Sequence, residues 1–211
     1  TPHSFVFAAA AVTGFAFFLM ELVWYRMLGP LLGGSTFTFG LILAIALAGI
    51  AAGSLGFSIF RGRLEVSAGG FALVCALEAL FIAVPYALGD RLPMLAILLQ
   101  PISALGFGAS VAEWSVTTSI IVLPASVLAG VQFPMLIALL GRGRAGVGTH
   151  TGLAYGWNTA GAIAGSLAGG FGLLPLLTAP GAWKLVVVLL VALSAAALWV
   201  QRRGQLSWRQ M

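Results

Sequence analysis

The sequence predicts an all-α integral membrane protein of six transmembrane helices, and three observations carry that expectation. Hydrophobic residues make up 61% of the 211 and charged residues 7%, against roughly 25% charged in an ordinary soluble domain. Mean hydropathy is +1.09, and five acids with ten Lys or Arg are too few to cover a water-soluble core of this size. Third, those few charges and the Gly/Pro clusters cut the chain into apolar runs of roughly the 20 residues that a bilayer core requires.

The first run, 4–28, lacks a basic leader and a small-residue cleavage site, so it reads as a span and not as a signal peptide. The others are 36–60, 66–89, 114–140, 151–177 and 181–201. A seventh stretch, 92–108, is interrupted by Gln100-Pro101 and bordered by Asp90, Arg91 and Glu113. It is the candidate for a seventh crossing, or for a re-entrant or interfacial segment. Lys and Arg near span ends stay on the cytoplasmic side. If 92–108 does not cross and both termini are cytoplasmic, the inside collects Arg61, Arg63, Arg142, Arg144, Arg202, Arg203 and Arg209, and only Arg26, Arg91 and Lys184 remain outside. That distribution favours six crossings in the cell's inner membrane. Residues 1–201 form the helical domain and 202–211 a basic cytoplasmic tail. The chain starts at Thr1 without Met and stops after a basic stretch, which reads as a partial product.

The net charge of +5 does not point to nucleic acid, because the basic residues sit at span ends and form no stripe with aromatics. Cys75 is the single cysteine, and His3 and His150 fall outside the apolar runs, so neither a disulfide framework nor a metal or haem site is expected and no cofactor is implied. Phosphate-binding glycine loops, His-Glu-x-x-His and Cys-x-x-Cys are missing from the sequence, and with them a catalytic motif.

Glycines carry the packing signal. Gly161, Gly165 and Gly169 stand four apart in the fifth span, with Gly152 and Gly156 before them, and Gly49 and Gly53 repeat the spacing in the second. Small residues so spaced let backbones approach where lipid supplies no hydrophobic drive. The contact they serve is helix packing within the chain, or a homodimer or larger membrane complex. Ala52-Gly53-Ser54-Leu55 recurs as Ala164-Gly165-Ser166-Leu167. This pairs spans 1–3 with spans 4–6 as a candidate 3+3 inverted repeat.

Glu21 and Glu78 are ionisable groups inside spans, where a charge costs about 2.5 kcal/mol or more at the centre. They are either proton-relay or cation-binding groups on a transport path, or hydrogen-bond partners tying helices together. Tyr25 shares Glu21's face, whereas Arg26 is displaced by about 140°, so a direct Glu21–Arg26 bridge requires the helix end to bend. Asn158, beside Trp157, must bond across to another helix or to a ligand. Pro124 and Pro134 mark a hinge or a static kink in the fourth span. Trp183, Trp199 and Trp208 read as interface anchors.

The runs Glu21-Leu-Val-Trp-Tyr-Arg-Met-Leu28, Gly34-Ser-Thr-Phe-Thr-Phe39 and Gly49-Ile-Ala-Ala-Gly-Ser54 are followed by Leu123-Pro-Ala-Ser-Val-Leu-Ala-Gly130 with Phe133-Pro134. Tyr155-Gly-Trp-Asn-Thr-Ala-Gly161 then leads through Gly165-Ser166 to Gly170-Phe-Gly-Leu-Leu-Pro175. This ordered set resembles the N-terminal membrane region of the spermidine synthase-like transmembrane proteins, fused major-facilitator/spermidine synthase proteins. The resemblance implies half of a major-facilitator fold and an anchor or scaffold role, with a cytoplasmic aminopropyltransferase-like domain following in the full-length protein. No position here matches that domain, so no catalytic residue carries over. The rival readings are a transporter or exporter half-bundle for polyamine or another cation, and an accessory subunit of a larger membrane complex.

Overall fold

The computed structural model describes residues 1–61, 66–89, 91–141 and 147–209, with the side chains of 102, 147 and 206–209 excepted. Asp90, Arg63, Arg142 and Arg144, and the side chains of Trp208 and Arg209, therefore lie outside the described residues. What is described is helical, with no strand: α1 (His3–Leu28), α2 (Thr36–Phe60), α3 (Ala68–Leu88), α4 (Arg91–Leu99), α5 (Phe107–Leu139), α6 (Val147–Ala168) and α7 (Leu174–Arg209). Short 3-10 turns follow α1 and α4, and a π-turn, Gly169–Leu173, joins α6 to α7.

Five helices are long and apolar enough to cross a membrane, the last of them a 58-residue run, Gly148–Gln205. Thr178 breaks that run, with φ 63 and ψ 170 inside α7 and Pro180 just beyond. Before the break the chain runs alongside α1, and after it runs back along α3. The architecture is thus five or six long apolar helices, according to whether the broken run is taken as one or two, and it is that of a multi-pass membrane protein.

Side-chain and backbone contacts fix how the helices run. Gly161 meets Ala11, Gly165 meets Phe15, and Gly169 meets Leu19 and Leu22, so α6 is parallel to α1. Gly49 meets Ser126, and Gly53 meets Val127 and Gly130, so α2 is parallel to α5. Trp183 reaches Ile82, Ser194 reaches Ala72 and Gln201 reaches Gly69, so α7 is antiparallel to α3. One buried cluster joins Trp24 and Leu28 of α1 to Ile82, Ile121 and Trp183, and a second joins Val6 and Ala9 to Phe71, Leu136 and Ala197.

Those clusters sit toward opposite ends of the bundle. Thr1, Pro2, Val66, Leu139 and Arg203 gather around one cavity, so both described ends of the chain lie at the same end of the bundle. At the other end, the close of α1 and of α3 meets Leu92 and Pro93. Phe107 stacks near Phe37 (5.5 Å between ring centroids), and a Cβ on Gly33 would lie 3.8 Å from Trp114. The stretch 92–108 therefore starts and finishes at a single end, as a nine-residue helix followed by a 3-10 turn.

Local chemistry accounts for the boundaries. Gly33, at φ 83, ends the 3-10 turn after α1 in a left-handed conformation that a side chain would strain. Ser35 then caps α2, its hydroxyl accepting from the Thr38 N–H at 3.4 Å, while Thr38 Oγ1 donates to the Leu32 carbonyl at 2.7 Å. Ser67 caps α3 in the same way on Gly70. Two boundaries differ from the sequence expectation. α5 begins at Phe107 and not near 114, because Glu113 is buried within it and does not mark an interfacial edge. α6 gives way at Gly169 to a π-turn, where five residues hold three glycines that α-helix disfavours.

Candidate functional site in the bundle interior

Glu78 is the central residue of the 21 in α3, and it is only 3% exposed. The amide of Gln132, on α5, donates to its carboxylate Oε2. The same amide nitrogen lies 3.5 Å from the Cys75 sulfur, one helical turn before Glu78 and on the same face of α3. Gln132 is itself buried, between the two prolines of α5, Pro124 and Pro134. Glu78, Gln132 and Cys75 thus form a closed polar cluster across the α3–α5 interface, near the middle of the bundle. A carboxylate in such a place is costly unless it is hydrogen-bonded, and Gln132 meets that need.

The other polar residues singled out from the sequence do not join this cluster. Glu21 is buried, 7% exposed, and has no hydrogen-bond partner among the described residues. Tyr25 packs its ring edge-on against Phe39 at 5.4 Å. Arg26 is exposed in the last turn of α1 and makes no bridge to Glu21. Asn158 donates from Nδ2 to the Ala10 carbonyl at 3.0 Å, fastening α6 to α1.

Around these bonds the small residues let backbones touch. A Cβ on Gly161 would sit 2.7 Å from the Ala11 carbonyl carbon, one on Gly165 2.9 Å from Phe15 Cα, and one on Gly53 2.9 Å from the Val127 carbonyl carbon. Gly49 would meet the Ser126 Cβ at 2.6 Å, and Gly169 the Leu19 Cδ1 at 2.9 Å. Gly152 and Gly156 have no neighbour within 4 Å and face outward.

Two interior residues escaped the sequence reading. Gln132 is not ionisable, but as an amide within an apolar run it carries the same signal as Asn158. Trp183 reads from sequence as an interface anchor, yet it is 4% exposed and its indole N–H donates to the Ile82 carbonyl at 2.8 Å. Pro85, which has no N–H, stands in the same turn of α3 and leaves the neighbouring Phe81 carbonyl without its helical donor.

Ser54 Oγ donates to the Gly130 carbonyl at 2.8 Å and Ser194 Oγ to the Ala72 carbonyl at 2.7 Å. Both are interhelical bonds of the same kind. No group of three or more His, Cys, Asp or Glu comes together among the described residues. His3 and His150 pair edge-on at 4.6 Å, holding the start of α1 beside the start of α6. Chemically, the bonds made by Gln132, Asn158, Trp183, Ser54 and Ser194 fasten helix to helix. Comparisons of the chain with protein-family models, with curated proteins and with solved structures find no match.

Proposed function

We propose that this chain is a membrane-embedded anchor and scaffold, of the kind implied by its resemblance to the membrane region of spermidine synthase-like proteins. The observation that supports this best is the engagement of Glu78. A carboxylate on a transport path faces a water-filled cavity or a substrate, whereas Glu78 is closed into the α3–α5 interface by Gln132. Cavities of about 630, 520 and 440 Å³ lie at the ends of the bundle, and neither Glu21 nor Glu78 lines any of them.

In this reading the chain crosses six times, with 92–108 on the outer side and both termini in the cytoplasm. The alternating helix directions support the count. Arg61, Arg202 and Arg203 at the terminal end, against Arg26, Arg91 and Lys184 at the other, support the orientation. A 3+3 inverted repeat is supported by the packing. Exchanging α1 with α5, α2 with α6 and α3 with α7 turns the α2–α5 contact into α6–α1 and leaves the α3–α7 contact in place. Gly49 and Gly53 then stand where Gly161 and Gly165 stand.

For an anchor, a fluorescent reporter fused after Met211 is expected to fold in the cytoplasm and to stay in carbonate-washed membranes. Vesicles holding the purified protein are expected to pass spermidine no faster than empty ones. A saturable spermidine flux that Glu78→Gln abolishes would replace the anchor with a transporter.

A second reading, as one subunit of a homodimer, has its own observation. Gly152, Gly156, Ala160 and Ala164 stand four apart on a face of α6 that is exposed, opposite the face spent on α1. Cys75 is buried, so a single Gly156→Cys exchange gives a clean probe. If two copies meet there, oxidation in membranes yields a covalent dimer, and Gly56→Cys on α2 does not. Equal or absent crosslinking of the two would sink the dimer.

A further inference from the structure

Arg26 takes no part in the interior contacts. It is exposed in the last turn of α1, without a hydrogen bond or ion pair among the described residues. Its side chain lines a cavity of about 520 Å³ whose other walls are Gly170, Leu174, Pro175, Thr178 and Ala179. Arg26 is the one charged side chain in that lining and Thr178 the one hydroxyl. The remaining walls are apolar. Next in sequence to the lining residues Gly170 and Pro175, Phe171 and Leu176 are 86% and 81% exposed, bulky apolar groups of the kind that lipid would cover.

Thr178 is held at φ 63 and ψ 170, a conformation that glycine adopts and a β-branched residue avoids. The hydroxyl is therefore carried at a position where local backbone preference argues against threonine. A guanidinium presents five N–H donors in a planar fork that matches the oxygens of a phosphate. The end of an apolar helix is also the level at which lipid phosphates lie.

From the juxtaposition of Arg26, Thr178 and these apolar walls, we infer that the cavity binds the phosphate of a phospholipid headgroup. The guanidinium and the threonine hydroxyl donate to the phosphate oxygens. Leu174, Pro175 and Ala179 cover the glycerol and the first part of the acyl chains. The apolar walls, continuous with lipid-facing side chains, favour an amphiphile over a free anion.

The test uses the purified, delipidated full chain in neutral detergent, with native mass spectrometry as the readout. The probes are dihexanoyl phosphatidylglycerol, dihexanoylglycerol, which lacks the phosphate, and inorganic phosphate. One phosphatidylglycerol is expected to bind, with dihexanoylglycerol and inorganic phosphate far weaker. Arg26→Gln should weaken the phospholipid roughly tenfold or more, the scale of lost hydrogen bonds to a charged group. Arg203→Gln, at the opposite end, should leave binding unchanged. Undiminished binding in Arg26→Gln, or an equal loss in Arg203→Gln, overturns the site. Inorganic phosphate binding as tightly as the phospholipid overturns the lipid as its occupant. Should Arg26→Gln fail to fold, Thr178→Val decides: it keeps the side chain's shape and removes the hydroxyl, so a several-fold loss supports the site and unchanged binding rejects it.

Discussion

Gly161→Leu is expected to abolish the native bundle, and Gly161→Ala to destabilise it by about 1–3 kcal/mol, the usual cost of forcing atoms into a packed contact. The reason is geometric. The first added carbon on Gly161 already overlaps the Ala11 backbone, with its carbonyl carbon at 2.7 Å and Cα at 2.8 Å, and backbone cannot step aside as a flexible side chain can. α6 would have to lift from α1, and the Asn158–Ala10 bond three residues away would lengthen with it. Gly56→Ala, on α2 with nothing within 4 Å, is the control. There the gain in helix propensity, about 1 kcal/mol at most, should leave stability unchanged or raise it. Denaturation midpoints in detergent, read from the fluorescence of the six tryptophans, separate the two outcomes. Equal midpoints for Gly161→Ala and Gly56→Ala would mean that α6 does not rest on α1 as described.

The second large effect concerns the interior cluster. Gln132→Leu removes the donor to Glu78 and leaves a buried carboxyl group without its partner, at a cost of about 1–3 kcal/mol. Glu78→Gln keeps an acceptor at the same place and should cost less. In the double variant Glu78→Leu/Gln132→Leu, neither polar group remains to be desolvated, and stability should recover above that of Gln132→Leu alone. A double variant no more stable than Gln132→Leu would show that the two side chains do not depend on each other. Either result also bears on the anchor reading, because a carboxylate committed to a structural bond is unavailable for transport.

Much of this molecule is legible in its sequence, for a physical reason. A bilayer imposes one length and one polarity on every element, so hydropathy alone places α1, α2 and α3 to within a few residues. The glycine spacing likewise marks Gly49, Gly53, Gly161 and Gly165, since small residues four apart must share a helix face. What was not legible lies where tertiary contact overrules local pattern. Glu113 reads as a charge at a membrane edge, yet it lies buried within α5, 6% exposed. Gly152 and Gly156 share the spacing of Gly161 and Gly165 and yet face away, because their phase on α6 differs from that of the α1 contact. Thr178 carries no sign of its positive φ, which belongs more naturally to one of the many glycines nearby. The candidate site is half visible: Glu78 and Gln132 each stand out as polar groups in apolar runs, while their pairing depends on the contact of α3 with α5, which the sequence does not reveal.

The pairing of helices has a consequence for how such a chain is made. α1 finds its main partner in α6 and α2 in α5, both parallel, while α3 finds its own in the antiparallel α7, so none rests mainly on the helix that follows it in the chain. As the ribosome delivers them in order, the early helices enter the bilayer with their glycine-receiving faces covered only by lipid. Ala11 and Phe15 wait for Gly161 and Gly165, about 150 residues later. Insertion and assembly are therefore separate events here. The interval between them is when a half-made chain is most open to capture by chaperones, by proteases, or by a second copy of itself.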